Sequence, residues 1–245
     1  MRRSKKIIIV IISLIVIIIS LTILLGVQVV KAKKIEENIK KVKEQSSIKT
    51  KETNQPFKMK LEKNENIVFF GDSITEIYPL EDIYDNYQII NSGISGYKTT
   101  DLLEKMDKML YQYNPTKVIL LIGTNDIMKD VSEEKQEETV DNIKKIVNEI
   151  KKNRPMAKLY VESLYPVNRN MKKDMVAERT NEAIQNINKN IKSFCNKEKI
   201  SYINMYDELT DSDGNFDEKY TYDGLHPSTL GFAKITKVLM PYIYE

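Results

Sequence analysis

Three side chains of this sequence have the types needed for nucleophilic catalysis, although they lie far apart along the chain. The apolar run in IVFFGDSIT, residues 67–75, stops at a Gly-Asp pair that is followed directly by the hydroxyl of Ser73. His226 is the single histidine, and Asp223 precedes it by three residues in DGLHPS. A carboxylate at that spacing can hold one ring nitrogen and leave the other to accept a proton. Each feature alone also fits a plainer interpretation, a turn serine or a surface or core histidine.

Acyl transfer by such a group also requires hydrogen-bond donors directed at the oxyanion that develops on the substrate carbonyl. NSGISG, residues 91–96, contains Gly93, whose backbone N–H can approach a ligand closely because no side chain intervenes. GTND, residues 123–126, contains Asn125, whose amide is a neutral donor. Seen alone, both segments are also typical of turn glycines and Asx-turns. The prediction of a catalytic site therefore depends on the segments occurring together.

The elements that would position these segments alternate between strand and helix from about residue 66 onward. Short apolar runs predict strands at 67–70, 88–91, 117–122, 159–163 and 200–204. Apolar residues at helical spacing predict helices at 101–111, 133–152, 178–197 and 228–242. This alternation is typical of a parallel sheet covered by helices on both faces. Because functional loops of such sheets follow the carboxyl ends of the strands, we expect Ser73, Gly93 and Asn125 at one rim.

The blocks FFGDSIT, NSGISG, LIGTND and DGLHP, in this order and spacing, resemble those of the SGNH/GDSL hydrolase family of esterases and lipases. The resemblance extends from about residue 66 to the C-terminus. It implies an α/β fold of the flavodoxin-like type, a three-layer α/β/α sandwich with a mainly parallel five-stranded sheet. It also implies a reaction without a metal or an organic cofactor. LYPVNR, residues 164–169, resembles a further family segment that is expected to line the cleft.

The resemblance also implies a role for each matching position. Ser73 becomes the nucleophile, His226 the general base and Asp223 the residue that orients the imidazole. The oxyanion hole is assigned to the N–H groups of Ser73 and Gly93 together with the side chain of Asn125.

These roles predict a serine esterase that works through an acyl-enzyme on Ser73, from which water releases the acid. An O-acyltransferase that passes the acyl group to a sugar or lipid hydroxyl needs the same residues, so the motifs do not separate the two. A non-catalytic binding module is the third alternative, although it would not require the complete set. We expect an ester with a short acyl or O-acetyl group, an acetylated sugar or a lipid ester, because the sequence shows no apolar lid insertion.

The sequence predicts neither a calcium site nor a zinc site. DSDGN, residues 211–215, begins like a calcium loop, but its glycine is at the fourth position and Tyr222 occupies the twelfth, where a glutamate is needed. With one histidine and one cysteine in the chain, a zinc site is not expected either. Cys195 lies on the apolar side of a predicted helix, which indicates a buried structural thiol.

The first 63 residues differ in charge from the rest of the chain. They hold 15 Lys/Arg against 5 Asp/Glu, a net charge of +10, which leaves −7 for the remainder of a chain whose total is +3. An acidic body lacks the basic surface that binds nucleic acid, so we expect no nucleic-acid partner.

Residues 7–25, IIIVIISLIVIIISLTILL, are apolar almost throughout. As a helix they would rise about 28 Å, close to the hydrocarbon thickness of a bilayer. We expect a short basic N-terminus at 1–6, a transmembrane signal-anchor helix over 7–30, a charged stalk or linker over 31–63 and the SGNH hydrolase domain over 64–245. A cleaved signal peptide is the alternative, but the apolar stretch is longer than a usual signal sequence.

Basic residues flank this apolar stretch on both sides, so the charge bias leaves its orientation open. Nothing globular precedes the stretch. We therefore expect a single-pass protein of the cell membrane whose N-terminal helix lies in the lipid and whose catalytic domain is extracytoplasmic.

Overall fold

The computed structural model describes residues 65–84 and 88–245. The predicted N-terminal segments, at 1–6, 7–30 and 31–63, lie outside the described residues. Among the helices of the described ranges, none combines the length and the apolar character that crossing a bilayer requires.

Five parallel strands form one sheet in the described part of the chain. They are β1 (Ile67–Gly71), β2 (Ile89–Gly93), β3 (Lys117–Leu121), β4 (Lys158–Glu162) and β5 (Ser201–Ile203). Their order is β2-β1-β3-β4-β5, and every neighbouring pair is parallel. This is the order of flavodoxin-like doubly wound sheets, so the predicted five-stranded parallel sheet is confirmed. Every residue of β1 and β3 is buried, as expected for strands covered on both faces.

Helices connect the strands. Those of the described ranges are α1 (Ser73–Glu76), α2 (Leu80–Ile83), α3 (Thr99–Met109), α4 (Glu133–Asn153), α5 (Lys173–Val176), α6 (Asn181–Glu198), α7 (Met205–Leu209) and α8 (Thr229–Tyr244), and a 3₁₀ turn covers Tyr111–Tyr113. The four long helices predicted from the sequence are all present, as α3, α4, α6 and α8. The side-chain oxygens of Ser132, Thr180 and Ser228 cap α4, α6 and α8 by accepting an N–H from the first turn.

The helices form layers on the two sides of the sheet. α4 packs against both α3 and α6, whereas α8 packs against α7 and places Tyr242 edge-on to Tyr160 of β4 at a ring-centroid distance of 5.5 Å. Right-handed crossovers put the connections that run toward β5 on one face and the β1–β2 connection on the other. The resulting α/β/α arrangement leaves the carboxyl ends of the strands open for a site.

The carboxyl end of β2 packs closely against α1, and a glycine makes this contact possible. Gly93 is the last residue of β2, and a Cβ atom there would lie 2.2 Å from the backbone nitrogen of Glu76 and 2.7 Å from the carbonyl oxygen of Asp72. Only glycine therefore lets the end of β2 lie against α1, the helix that begins at Ser73.

Cys195 is buried in α6 and forms no disulfide, in agreement with the predicted structural thiol. Burial raises the pKa of its thiol to about 11, so the sulfur is protonated at neutral pH. A protonated, inaccessible thiol is unreactive, and Cys195 contributes packing alone.

Candidate active site

Ser73 is placed by the turn between β1 and α1. It is the first residue of α1, and Asp72 caps that helix by accepting the N–H of Ile74 on Oδ1 at 3.0 Å. The Ser73 side chain is half-buried at the rim of the sheet, and its Oγ lies 3.0 Å from Nε2 of His226, which is 153 positions away in sequence. The structure thus brings the predicted hydroxyl and imidazole within hydrogen-bond distance.

Asp223 lies on the other side of the imidazole. Its Oδ2 is 2.8 Å from Nδ1 of His226, and its Oδ1 accepts the backbone N–H groups of Leu225 at 2.9 Å and His226 at 2.7 Å. Because a carboxylate oxygen only accepts, the ring proton is assigned to Nδ1, which leaves Nε2 to accept from the Ser73 hydroxyl. Burial would raise the pKa of Asp223, but the hydrogen bonds from His226 and Leu225 outweigh it and hold that pKa below its ordinary value.

The loop that carries these two residues is fixed by its neighbours. Thr221 Oγ1 donates to the His226 carbonyl at 2.7 Å and accepts the Gly224 N–H at 2.9 Å. Gly224 has a φ of +87°, and a Cβ atom there would lie 2.2 Å from the Asn168 carbonyl oxygen. Asn168, from the LYPVNR segment, is buried and donates its N–H to the Gly224 carbonyl at 2.8 Å. Asn168 therefore holds the loop that carries Asp223 and His226 through its contacts with Gly224.

Asn125 follows β3 and has a nearly buried side chain. Its Nδ2 donates to the Tyr97 carbonyl at 3.0 Å, and its Oδ1 accepts from Nη2 of Arg179 at 2.8 Å. One of the two Nδ2 hydrogens is used in this way, so the other remains for a ligand. The backbone N–H of Ser73 likewise has no acceptor in the part of the chain that the structure describes.

Gly93, the third predicted oxyanion donor, is already engaged. Its N–H donates to Oδ1 of Asn91 at 3.0 Å. Gly93 could donate to an oxyanion only if the Asn91 side chain released it, and its role stays a prediction.

Gly96 has an unengaged N–H group in the same loop. It is exposed with a φ of +78°, and its N–H has no acceptor within residues 65–84 and 88–245. The flanking residues are held, because the Ser95 N–H donates to Oε2 of Glu76 at 3.0 Å and the Tyr97 carbonyl accepts from Asn125. In the sequence, the repeated glycine of NSGISG is the feature that indicates this second position.

A family model described as GDSL-like Lipase/Acylhydrolase matches residues 69–234, more than half of the chain. The chain belongs to the GDSL-like lipase/acylhydrolase family. This GDSL-like hydrolase is therefore an enzyme of the esterase and acylhydrolase class, and its sheet has the order expected for the fold.

Two protein relatives align with the GDSL-like hydrolase over most of its length. The N-acylneuraminate cytidylyltransferase of Escherichia coli O18:K1:H7 is 31% identical over 169 residues, which cover 69% of this chain but 38% of that protein. The platelet-activating factor acetylhydrolase IB subunit alpha1 of Pongo abelii is 24% identical over 184 residues, covering 73% of this chain and 75% of that one. The GDSL-like hydrolase thus matches little more than a third of the cytidylyltransferase.

Solved structures show the same fold. A Streptococcus pneumonia protein whose structure is named after platelet activating factor superposes with a TM-score of 0.68 and 37% identity, covering 83% of this chain and 94% of that one. The acetylxylan esterase Axe2 of Geobacillus stearothermophilus has a TM-score of 0.58 and 18% identity, covering 75% and 96%. At that lower identity the likeness to Axe2 establishes the fold alone.

A buried arginine of the GDSL-like hydrolase lies behind Asn125, and no sequence pattern pointed to it. Arg179 is 1% exposed, and its guanidinium donates to Oδ1 of Asn125, to the Thr124 carbonyl at 2.7 Å and to the Val176 carbonyl at 3.0 Å. Burial lowers the pKa of Arg179 to about 10, although the nearby Asp72 raises it. The guanidinium is therefore still charged at neutral pH.

Asp72 is a second buried group beside the nucleophile. It has no exposed surface, and its Oδ2 has no hydrogen-bond partner among the described residues. Burial raises the pKa of Asp72 to about 7, although the Ile74 N–H and the charge of Arg179 lower it. At pH 6 the carboxyl is therefore mostly neutral.

A groove of about 870 Å³ opens beside His226. Its lining is mainly apolar and includes Ile77, Pro79, Ile83, Tyr222, Pro227 and Phe232. The half-exposed ring of Tyr222 stacks on the imidazole of His226, with centroids 5.9 Å apart and an interplanar angle of 15°. Because Tyr222 and Pro227 belong both to the groove and to the surroundings of His226, an apolar group could lie there next to a reacting ester.

Proposed function

We propose that this GDSL-like hydrolase is a serine esterase that cleaves carboxylic esters through an acyl-enzyme on Ser73. The observation that carries the proposal is the unbroken line of hydrogen bonds from Ser73 Oγ through the imidazole of His226 to the carboxylate of Asp223. A nucleophile, a base and a group that orients the base are the minimum for acyl transfer by serine.

In the first half of the reaction, Ser73 Oγ attacks the ester carbonyl carbon while His226 Nε2 takes the hydroxyl proton. Asp223 stabilises the imidazolium that forms, since its lowered pKa keeps it ionised. The tetrahedral intermediate then collapses, the bond to the alcohol oxygen breaks, and His226 returns the proton to the leaving alcohol. The acyl group stays on Ser73.

In the second half, a water molecule replaces the alcohol. His226 Nε2 accepts a proton from the water as its oxygen attacks the acyl carbon, and the same proton returns to Ser73 Oγ when the carboxylic acid leaves. The enzyme is restored with Nδ1 of His226 still facing Asp223.

The negative oxygen of both intermediates requires donors that are in place before the reaction. The Ser73 N–H and the free Nδ2 hydrogen of Asn125 supply two. The third is the N–H of Gly93 if Asn91 releases it, or the unengaged N–H of Gly96.

The proposed substrate is an ester with a short acyl or O-acetyl group, on a sugar or a lipid. Two of the similar proteins carry names of this kind, an acetylhydrolase and an acetylxylan esterase. The apolar groove beside His226 is large enough for a longer chain, so acyl length should be measured rather than assumed. A series of p-nitrophenyl esters from acetate to decanoate, run beside acetylated xylan, would rank these substrates.

The function is tested by comparing Ser73→Ala and His226→Ala with the wild type on p-nitrophenyl acetate. Turnover should be nearly abolished in both while the circular dichroism spectrum is unchanged. Ser193→Ala, which removes an exposed hydroxyl from α6, is the matched control and should keep wild-type activity. Wild-type turnover by Ser73→Ala would refute the mechanism.

Acyl transfer to an acceptor alcohol uses the same acyl-enzyme, so the products must be analysed. A hydrolase should release free acid at the same rate with and without a sugar or glycerol acceptor. Formation of an acyl-sugar at the expense of free acid would assign the chain to the O-acyltransferases instead.

The membrane location is a separate proposal that rests on the sequence of residues 7–30. We propose that they anchor the enzyme in the cell membrane with the catalytic domain outside the cytoplasm. Protease added to intact cells should then digest the domain. Digestion only after cell lysis would contradict this orientation.

A further inference from the structure

We propose that Arg179 is a positioning residue for the oxyanion hole, and that its guanidinium fixes and polarises the Asn125 amide so that Nδ2 faces the reacting carbonyl oxygen. The inference rests on the esterase function proposed above and adds a residue that no motif contains. It follows from the partners of the amide, from the way the guanidinium is itself held, and from the charges around it.

The partners of Asn125 select one orientation of its amide. The guanidinium of Arg179 can only donate, so the atom that faces it at 2.8 Å must be the acceptor Oδ1. The carbonyl of Tyr97 can only accept, so the atom that faces it at 3.0 Å must be Nδ2. A rotation of the amide by 180° would set donor against donor and acceptor against acceptor. Arg179 and Tyr97 therefore lock the same orientation from opposite sides.

Arg179 is held rigidly enough to impose that orientation. Besides Asn125, it donates to the carbonyls of Thr124 at 2.7 Å, Val176 at 3.0 Å and Met175 at 3.3 Å. These contacts tie the loop after β3 to the end of α5. An oxyanion donor is effective when it does not have to reorganise as charge develops, and this network removes that need.

Within the described residues, no direct contact neutralises the positive charge of the Arg179 guanidinium. Across residues 65–84 and 88–245, no carboxylate lies within ion-pair distance of Arg179, and all its acceptors are neutral oxygens. Its electrostatic neighbour Asp72 is itself mostly neutral at pH 6. A hydrogen bond from a cation draws electron density from the amide oxygen and makes the N–H at its other end a stronger donor.

The first expected result is a fall in kcat with little change in KM, because the donor acts in the transition state. Arg179→Met should lower kcat by about 10- to 100-fold, the equivalent of one charge-assisted hydrogen bond. Asn125→Ala should lower it by about 10²- to 10³-fold, as is usual for loss of one oxyanion donor.

The decisive measurement is the double variant. If Arg179 acts through Asn125, Arg179→Met combined with Asn125→Ala should be no slower than Asn125→Ala alone. If the two fold-reductions multiply instead, Arg179 acts independently of Asn125 and the proposal is overturned.

Titration of the functional active sites distinguishes a structural role of Arg179 from a positioning role. Each kcat is expressed per site titrated with a fluorophosphonate, so that loss of folded protein is not read as loss of rate. The matched control is Arg154→Met, because Arg154 also donates to two carbonyls and to an asparagine Oδ1, at Asn153, Tyr111 and Asn114. Wild-type kcat per titrated site in both arginine variants would overturn the proposal.

Arg179→Lys keeps the positive charge and provides a second route if the methionine variant does not fold. It should recover part of the activity, with a kcat between those of the wild type and Asn125→Ala, and should show the same non-additivity with Asn125→Ala. Failure of the proposed function is recognised separately, since Ser73→Ala would then keep the activity that these variants are measured against.

Discussion

Two aspartates of the candidate active site have side chains without exposed surface, but their pKa values are shifted in opposite directions. Asp223 and Asp72 are both fully buried, and each lies within three residues of a group proposed to react. Asp223 receives two backbone N–H groups on one oxygen and faces the His226 ring with the other, and its pKa is lowered. Asp72 receives one N–H, its second oxygen has no partner in the described structure, and its pKa is raised to about 7. Asp223 receives more hydrogen bonds than Asp72, and these bonds lower its pKa against the effect of burial.

The difference places charge where the proposed reaction needs it. A negative charge at Asp223 stabilises the imidazolium that forms on His226. A negative charge at Asp72, directly before Ser73, would oppose the oxyanion that forms on the substrate. A neutral Asp72 can still cap α1 through Oδ1, so the cap is kept without the charge.

The largest effect that tests this comparison is expected from Asp223→Asn. The two backbone donors at Oδ1 require an acceptor there, so the new amide must turn its NH₂ group toward Nδ1 of His226. The imidazole would then carry its proton on Nε2, where it cannot accept from Ser73. We expect kcat to fall by about 10³- to 10⁴-fold, measured on p-nitrophenyl acetate.

Asp213→Asn, at an exposed aspartate of the preceding turn, is the control for Asp223→Asn and should keep wild-type kcat. A fall of less than about tenfold in Asp223→Asn, equivalent to ~1.4 kcal/mol, would show that the charge at Asp223 is dispensable. The contrast between the two aspartates would then have no functional meaning.

The sequence predicted those parts of the site that are carried by residue type and local order. The apolar runs located the sheet, the strand-to-helix turn located Ser73, and the three-residue spacing located Asp223 and His226. Arg179 could not be predicted, because an arginine just before a helix is ordinarily a surface residue and only the folded chain shows it buried.

The state of the two aspartates could not be predicted either. Both occur in short polar turns, and the pKa of each depends on which N–H groups the backbone directs at its oxygens. The assignment of Gly93 shows the same limit. Its position in the motif is clear, but the side chain of Asn91, two residues earlier, occupies its N–H in the fold.

An effect of intermediate size is expected on the free energy of unfolding when Asp72 is substituted. Folding raises the pKa of Asp72 from 3.8 to about 7, so the stability that this group contributes is fully present below about pH 4 and is lost as the pH rises through about 7. An asparagine side chain at this position does not titrate, so Asp72→Asn should gain stability relative to the wild type between about pH 5 and pH 8. Urea midpoints at both pH values measure this gain.

When the urea midpoints of Asp72→Asn and the wild type are compared at the same pH, the contributions of the other titrating groups cancel. Glu162, whose pKa burial also raises to about 7, is present in both proteins and cancels in the difference. Asp107→Asn, an exposed position on α3, should show no change between the two pH values. A difference for Asp72→Asn that is constant with pH would mean that Asp72 is not neutralised by folding.

The smallest effect is expected on the activity of Asp72→Asn, and it sharpens the comparison because the same substitution is made at both aspartates. At pH 6 the wild-type carboxyl is already mostly neutral, so kcat should change by less than about tenfold. As the pH rises above 7, the wild type gains a charge that opposes the oxyanion while the variant does not. The ratio of variant to wild-type kcat should therefore increase from pH 6 to pH 8.5. A loss as large as that of Asp223→Asn would instead require an ionised Asp72, and the contrast drawn between the two aspartates would be wrong.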